Sequence, residues 1–337
     1  MKQYPLYQLF WEYTLRCNMQ CRHCGSDCRT TSVTPDMPLA DFLPVLDEIR
    51  ANQPSIPAYV HTLGGEPLVR SDVMECGRAI TERGFRWGMV SNGQLIDGPT
   101  MRELSRNGLR SLAVDVDGLR DEHNWLRNSE LAFDRVFNAI GHIRQAPNLL
   151  WDVITCVHPR NIDSLPELKR MLIEAGVKHW RTFTIAPMGR ADRNAELQLS
   201  AEQFHRLMEF IVATRQEGKI DLSYACDSYL GRYEQQVRSH KFSCQSGITV
   251  ASVWADGSIS GCLSMRSNYH QGNIYRDSFW DVWTNRFEKY RNRLWMRTEQ
   301  CAECEAWNQC LGNGLHLRRD DGSLMICNYN RLKECGL

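Results

Sequence analysis

Four thiols crowd the first thirty residues, Cys17, Cys21, Cys24 and Cys28 in "CNMQCRHCGSDC". Their spacing is C-x3-C-x2-C, with a fourth cysteine four positions on. Thiolates hold zinc and iron–sulfur clusters alike, and cysteines also pair as disulfides or pack as small apolar side chains. A structural zinc site takes four ligands, which this loop can supply. A [4Fe-4S] cluster held by only three thiolates instead keeps one iron open to a small molecule. Of the fourteen cysteines, Cys76 and Cys156 stand alone and eight lie beyond residue 225, so the chain carries two cysteine-rich regions.

Composition narrows the setting. Lys+Arg and Asp+Glu balance at 40 each over 337 residues, without the basic excess of a nucleic-acid binder. No apolar run reaches the length of a membrane span, and "MKQYPLYQLFWEYT" lacks the apolar core and cleavage site of a signal peptide. A cytoplasmic protein with no membrane or nucleic-acid partner is expected. In that reducing compartment clustered cysteines read as metal ligands rather than crosslinks.

The elements that must carry these thiols alternate. Strand-like runs are expected at Gln8–Thr14, Tyr59–Leu63, Arg86–Val90, Ser111–Val116, Trp151–Val157 and Trp180–Ile185, separated by six stretches of helical periodicity that often start after Ser or Asp and end at Gly. Such β/α alternation wraps right-handedly into a parallel sheet or barrel, with function on the loops at the strands' carboxyl ends. The first cysteine group, "LGGEPL", "SNG", "DVDG" and "APMGR" all fall on such loops. Beyond residue 217 the pattern changes, and "ITVASVWADGSISGCL" reads as a hairpin turning through Asp256-Gly257.

C-x3-C-x2-C with an aromatic residue before the third cysteine resembles the signature of the radical S-adenosylmethionine (SAM) enzymes. The resemblance implies a partial (β/α)6 TIM-like barrel, an α/β fold, in which Cys17, Cys21 and Cys24 hold a [4Fe-4S] cluster whose open iron chelates SAM. It assigns Gly64, Gly65, Glu66 and Pro67 of "GGEP" to the methionine ammonium, and Arg127 of "HNWLR" to the SAM carboxylate. Ser91 and Asn92 approach the ligand from the third strand; Asp115 stands where the family has Ser for a ribose contact, and "PMGR" passes near the adenine. Cys28 is left as a buried or free thiol, and Cys76 and Cys156 as core residues.

The tail carries a second resemblance. "CAECEAWNQC" reads C-x2-C-x5-C, Cys244 precedes "DGSISGC" ending at Cys262, and "QGNIYRDSFWDVW" joins the two parts. Together with Cys327 these are similar to SPASM, a small cysteine-rich domain that holds auxiliary [4Fe-4S] clusters. The implied division is a core over 1–217 and a SPASM-like domain over 218–337. Cys301, Cys304, Cys310 and Cys327 then complete one auxiliary site. A second, at Cys244 and Cys262, lacks a ligand because Gly314 replaces a cysteine; Cys226 or Cys335 is a candidate recruit. A zinc ribbon is the competing use of these thiols.

The resemblance implies reductive cleavage of SAM and hydrogen abstraction from a substrate, with an electron donor such as a flavodoxin or ferredoxin. A peptide or protein side chain is the first expectation, although only sixteen residues precede Cys17, which speaks against a leader-binding domain there. A small molecule such as a sugar, tetrapyrrole or amino acid is the alternative, and a non-catalytic zinc- or cluster-binding protein a further one. No residue is singled out as the substrate-side acid or base.

Overall fold

The computed structural model describes residues 4–56, 58–192, 194–225, 228–265 and 269–336; Cys226 lies outside them. Seven parallel strands, β1 Gln8–Thr14, β2 Tyr59–Gly64, β3 Arg86–Ser91, β4 Leu109–Asp115, β5 Leu150–Val157, β6 His179–Thr184 and β7 Asp221–Tyr224, lie side by side in chain order. A doubly wound sheet reverses its strand order at a switch point, whereas in-line order with right-handed crossovers curls toward a barrel. The expected partial barrel is therefore the fold. Its seventh strand, four residues long and following Gly218, had too little pattern to be read from the sequence.

Strand alternation gives the barrel two unlike faces. Trp11 stacks on Phe42 at 3.9 Å, Trp180 meets Phe210 edge-on, and Trp87 lies against Gly77. These aromatic rings face the helices α1 Leu39–Asn52, α2 Val73–Glu82 and α7 Ala201–Glu217. The alternate residues, among them Phe10, His61, Ile154, Cys156, Arg181 and Phe183, are only half-buried on the opposite, concave face. Cys76 lies in the main core, whereas Cys156, half-buried between the fully buried Thr155 and Val157, packs from the concave side against a smaller cluster of Leu126, Ile185, Ala191 and Leu197.

Two more helices matter for the site. α3 Gly98–Arg106 is capped by the Asp97 side chain on the Thr100 amide. α4 Arg120–Arg127, unmarked by any apolar periodicity, stops where Asn128 turns left-handed and leaves Arg127 on its last turn. α5 Ala132–Ile143 and α6 Leu165–Glu174 complete the helical layer, and α7 starts with a reciprocal Ser200–Gln203 capping box.

The tail joins the sheet. β8 Val250–Val253 and β9 Ser258–Ser260 form the expected hairpin, and β8 also pairs in parallel with β1, so that with β10 Gly272–Asn273 the sheet runs to ten strands. Two short helical pieces follow, α8 Phe279–Asn285 and a single turn at Glu288–Arg291. From there to Cys327 the chain is mostly short turns. Glu299, Leu311 and Asn313 sit at positive φ without being glycines, a conformation that local packing must hold in place.

Candidate active site

Everything converges on the loop that follows β1. Cys21 and Cys28 are buried and Cys17 and Cys24 half-buried. The Cys28 amide donates to Cys24 Sγ at 3.4 Å, and Cys28 Sγ lies 3.5 Å from the Gly64 carbonyl oxygen. Hydrogen bonding from the Cys28 side chain draws the Cys24 thiol down to about 5, whereas burial pushes Cys17 up to about 12. Cys28 therefore supports a neighbouring sulfur and the "GGEP" turn.

That turn needs its glycines for close approach. A Cβ on Gly64 would stand 2.2 Å from the Thr14 carbonyl oxygen, and one on Gly65 2.0 Å from that of Arg16, because Gly65 and Glu66 donate their amides to those same carbonyls. Glu66 points inward, 1% exposed, where its carboxylate accepts from Leu68 N, Ser91 Oγ and Asn92 N at 2.8–3.1 Å. Burial raises its pKa to about 7. Ser91 thus fixes Glu66, while the Asn92 amide group lies 4.0 Å from Cys17 Sγ and donates to Asn18 at 2.8 Å.

Arg127 enters from α4, with its Nη1 3.9 Å from Cys21 Sγ. The guanidinium that the resemblance aims at a SAM carboxylate is already engaged: it pairs with Asp115 at 3.2 Å and with Asp117 at 2.6 Å. Burial lifts Asp115 to about 6; burial works against Asp117 too, but the charge of Arg127 holds that carboxyl well below the usual range. Asp117 was passed over in the sequence although it belongs to "DVDG". Its other oxygen accepts from the Cys156 amide, and Asn161 donates to its carbonyl.

Three histidines flank this group, His23 of the cysteine loop and two that nothing in the sequence marks. His123 Nδ1 accepts from the Asp117 amide at 2.9 Å, so its proton sits on Nε2, which has no partner among the described residues. The His158 amide donates to Asn161, and its Nε2 is likewise unpartnered. Burial holds the His123 and His158 rings neutral, each near pKa 4.

"PMGR" packs on the cysteine loop. Gly189 is pressed against the Cys24 and Gly25 carbonyls, where a Cβ would come within 2.5 Å of each oxygen. Arg190 donates to the Cys21 carbonyl at 2.7 Å, the Cys28 carbonyl at 2.9 Å and Asp27 at 2.7 Å. The segment after β6 is therefore a clamp across the cysteine loop.

In the tail, Cys301, Cys304, Cys310 and Cys327 line one cavity together with Trp307 and Tyr329. Cys244 and Cys262 meet elsewhere. Burial opposes ionisation at Cys244, yet Arg293 and the Leu315 amide lower its pKa, while burial and then hydrogen bonds from Ser264 set that of Cys262, with a net rise. Gly314, beside Leu315, therefore faces the Cys244 pair rather than the four-thiol cavity. Cys335 lies just past the helix Asn328–Lys333 and does not line that cavity.

Among the described residues no three Cys, His, Asp or Glu converge as tightly as a single metal ion needs. Thiols spread around a cavity with amide, guanidinium and amide-side-chain donors on their sulfurs fit a cluster, whose thiolates stand apart at its corners and whose potential depends on such hydrogen bonds.

Comparison with known proteins agrees. The radical SAM superfamily model matches residues 11–172, and the SPASM iron–sulfur cluster-binding domain model matches 244–305. The AdoMet-dependent heme synthase of Methanosarcina barkeri is 27% identical over 90% of this chain and 89% of that protein. The PqqA peptide cyclase of Rhizobium meliloti is 22% identical over 89% and 80%. The solved structure of native anSMEcpe with bound AdoMet superposes with a TM-score of 0.75 at 18% identity, over 98% of this chain and 95% of that one. The chain belongs to the radical SAM superfamily: it is an enzyme that uses a [4Fe-4S] cluster and SAM and carries a SPASM domain for auxiliary iron–sulfur binding.

Proposed function

We propose that the chain oxidises a side chain of a peptide or protein, starting at the loop of Cys17, Cys21 and Cys24 and using the four-thiol cavity of the tail as electron acceptor. The observation that carries this reading is the presence of two unlike thiol sites. One has three cysteines at the carboxyl end of the barrel, ringed by loops from four strands; the other has four cysteines around one enclosed cavity. Cys17, Cys21 and Cys24 would hold a cluster that would supply the electron for reductive cleavage of SAM and so for hydrogen abstraction from the substrate; the substrate's second electron would pass to a cluster on Cys301, Cys304, Cys310 and Cys327, and its proton to solvent.

The chain's own residues do the rest. Gly64 and Gly65 let the turn close on the Thr14 and Arg16 carbonyls, while Glu66, locked by three donors, fixes it. Arg127, its charge offset by Asp115 and Asp117, keeps an N–H donor beside Cys21. The half-buried concave face, with His61, Arg181 and Phe183, receives the substrate. A reducing cytoplasm, with a flavodoxin or ferredoxin as electron donor, suits so many free thiols. No helix among the described residues is long and apolar enough to cross a membrane.

A second reading has a specific observation behind it. The M. barkeri relative is named a heme synthase and matches across nearly the full length of both chains, which favours a tetrapyrrole side chain as substrate. One experiment separates them. The anaerobically reconstituted, reduced enzyme is given SAM with either a deuterated candidate peptide or a deuterated tetrapyrrole, and deuterium in 5'-deoxyadenosine is measured. Transfer from the tetrapyrrole but not the peptide overturns the first reading. Absence of any 5'-deoxyadenosine overturns both.

A further inference from the structure

The tail buries an arginine where its four-thiol cavity closes. Arg318 is 1% exposed. Its Nε donates to the Gly312 carbonyl at 3.0 Å, its Nη1 to the Gly322 carbonyl at 2.7 Å, and its Nη2 to Cys301 Sγ at 3.3 Å. Two carbonyls lock the plane of the guanidinium, and the third direction of its fork falls on the sulfur. A guanidinium stays charged in proteins, so burying it is costly unless hydrogen bonds and an anion compensate. A cluster on four thiolates is anionic and becomes more so on reduction. A fixed cation and an N–H···S hydrogen bond therefore favour the reduced state.

We propose that Arg318 is a positioning residue that raises the reduction potential of the tail cluster by holding its charge and one N–H donor against Cys301. The inference rests on the assignment of Cys301, Cys304, Cys310 and Cys327 as ligands of one cluster. The front site makes the contrast. There Arg127 also reaches a thiol sulfur, but at 3.9 Å against the 3.3 Å of Arg318, so the donor on Cys301 bears more strongly on its cluster and the tail cluster is the easier of the two to reduce. That ordering lets the tail accept an electron while the front delivers one to SAM.

The test uses the full chain with Cys17, Cys21 and Cys24 all replaced by Ala, so that only tail iron remains. After anaerobic reconstitution iron is counted, and the midpoint potential is measured by redox titration followed by EPR. Arg318→Met, similar in length but without charge or donor, is expected to disfavour reduction about tenfold, a fall of about 59 mV for a one-electron couple. Arg318→Lys, which keeps the charge and loses the fork, is expected to fall less, and it carries the test where the Met variant does not fold. An unmoved midpoint in either iron-loaded variant overturns the role of Arg318. Failure of the parent triple variant to bind about four irons overturns instead the ligand assignment beneath it.

Discussion

The two thiol sites are built in opposite ways. At the front, cysteines on an irregular loop are held from outside by strand ends: "GGEP" after β2, Asn92 after β3, Arg127 after β4 and Arg190 after β6. In the tail the same segment that supplies Cys301, Cys304 and Cys310 also makes the walls, with Cys327 arriving from the next turn. The front surrounds its thiols with acids, Glu66, Asp115 and Asp117. No acid among the described residues lines the tail cavity. A site that must admit a ligand to one corner needs rigid supports placed at a distance, and a sheet provides them. A site that only stores an electron can close upon itself.

The sharpest break in this comparison comes from removing one thiol at each end. Cys21→Ser is expected to abolish 5'-deoxyadenosine formation, while Cys301→Ser still forms it but yields no modified product. Cys28→Ser, at a sulfur that hydrogen bonds to Cys24 rather than completing the trio, is expected to retain most SAM cleavage. Chromatographic assay of 5'-deoxyadenosine alongside product mass spectrometry reads all three. Equal losses in Cys21→Ser and Cys301→Ser would erase the distinction between an initiating and an accepting site.

Next in size is the external support. Gly65→Ala places a Cβ where the Arg16 carbonyl now sits, one residue before Cys17. Front iron is expected to fall by more than half with tail iron unchanged, at a cost of about 1–3 kcal/mol in stability. Arg190→Ala removes three hydrogen bonds to the loop and is expected to give a milder loss in the same direction. Iron counts in the background lacking the tail thiols measure the front loss of both variants, and counts in the Cys17, Cys21 and Cys24 alanine background check that tail iron is unchanged.

The third test concerns the thiols that belong to neither site. Cys244 and Cys262 are close enough for one thiolate to raise the pKa of the other, but the next candidate ligand position holds Gly314. The expected load is about eight irons per chain, the content of two cubes. Cys244→Ala is expected to leave that count unchanged. About twelve irons, falling by about four in Cys244→Ala, would show a third cube.

How much of this was legible follows the same division. The six long strands and the loops at their ends could be read because alternation and caps are local signals. So were the thiol spacings, since ligand geometry constrains neighbours in sequence. β7 was too short to carry a pattern, and α4 is almost wholly polar, so the element that delivers Arg127 gave no periodic signal. Partnerships across the barrel were invisible for a different reason. That Asp115 and Asp117 share Arg127, that Arg190 clamps the cysteine loop, and that Arg318 reaches Cys301 all depend on tertiary distances that no spacing encodes. "DVDG" did hold a hint, because a second acid two residues on from Asp115 lies on the same side of an extended chain.

The smallest expected effect tests whether buried acid distinguishes the front. Glu66 has its pKa raised from the ordinary 4.5 to about 7 by burial. The folded chain therefore binds the Glu66 proton more tightly than the unfolded chain, and the stability this provides is fully present below about 4.5 and lost as pH rises through about 7. Glu66→Gln removes the titration. Its amide oxygen can still accept from Asn92 N, and the Ser91 hydroxyl can rotate to accept from the new NH2 group, but the Leu68 amide then loses its acceptor. The variant should start slightly less stable than the parent at acid pH and lose less between about 4.5 and 7, so that the two unfolding curves draw together as pH rises. Denaturant unfolding of the cluster-free chain across that range measures the effect. A parent whose stability across the window changes no more than that of the variant would remove Glu66 from the acids that set the front apart, leaving Asp115 and Asp117 to offset Arg127 alone.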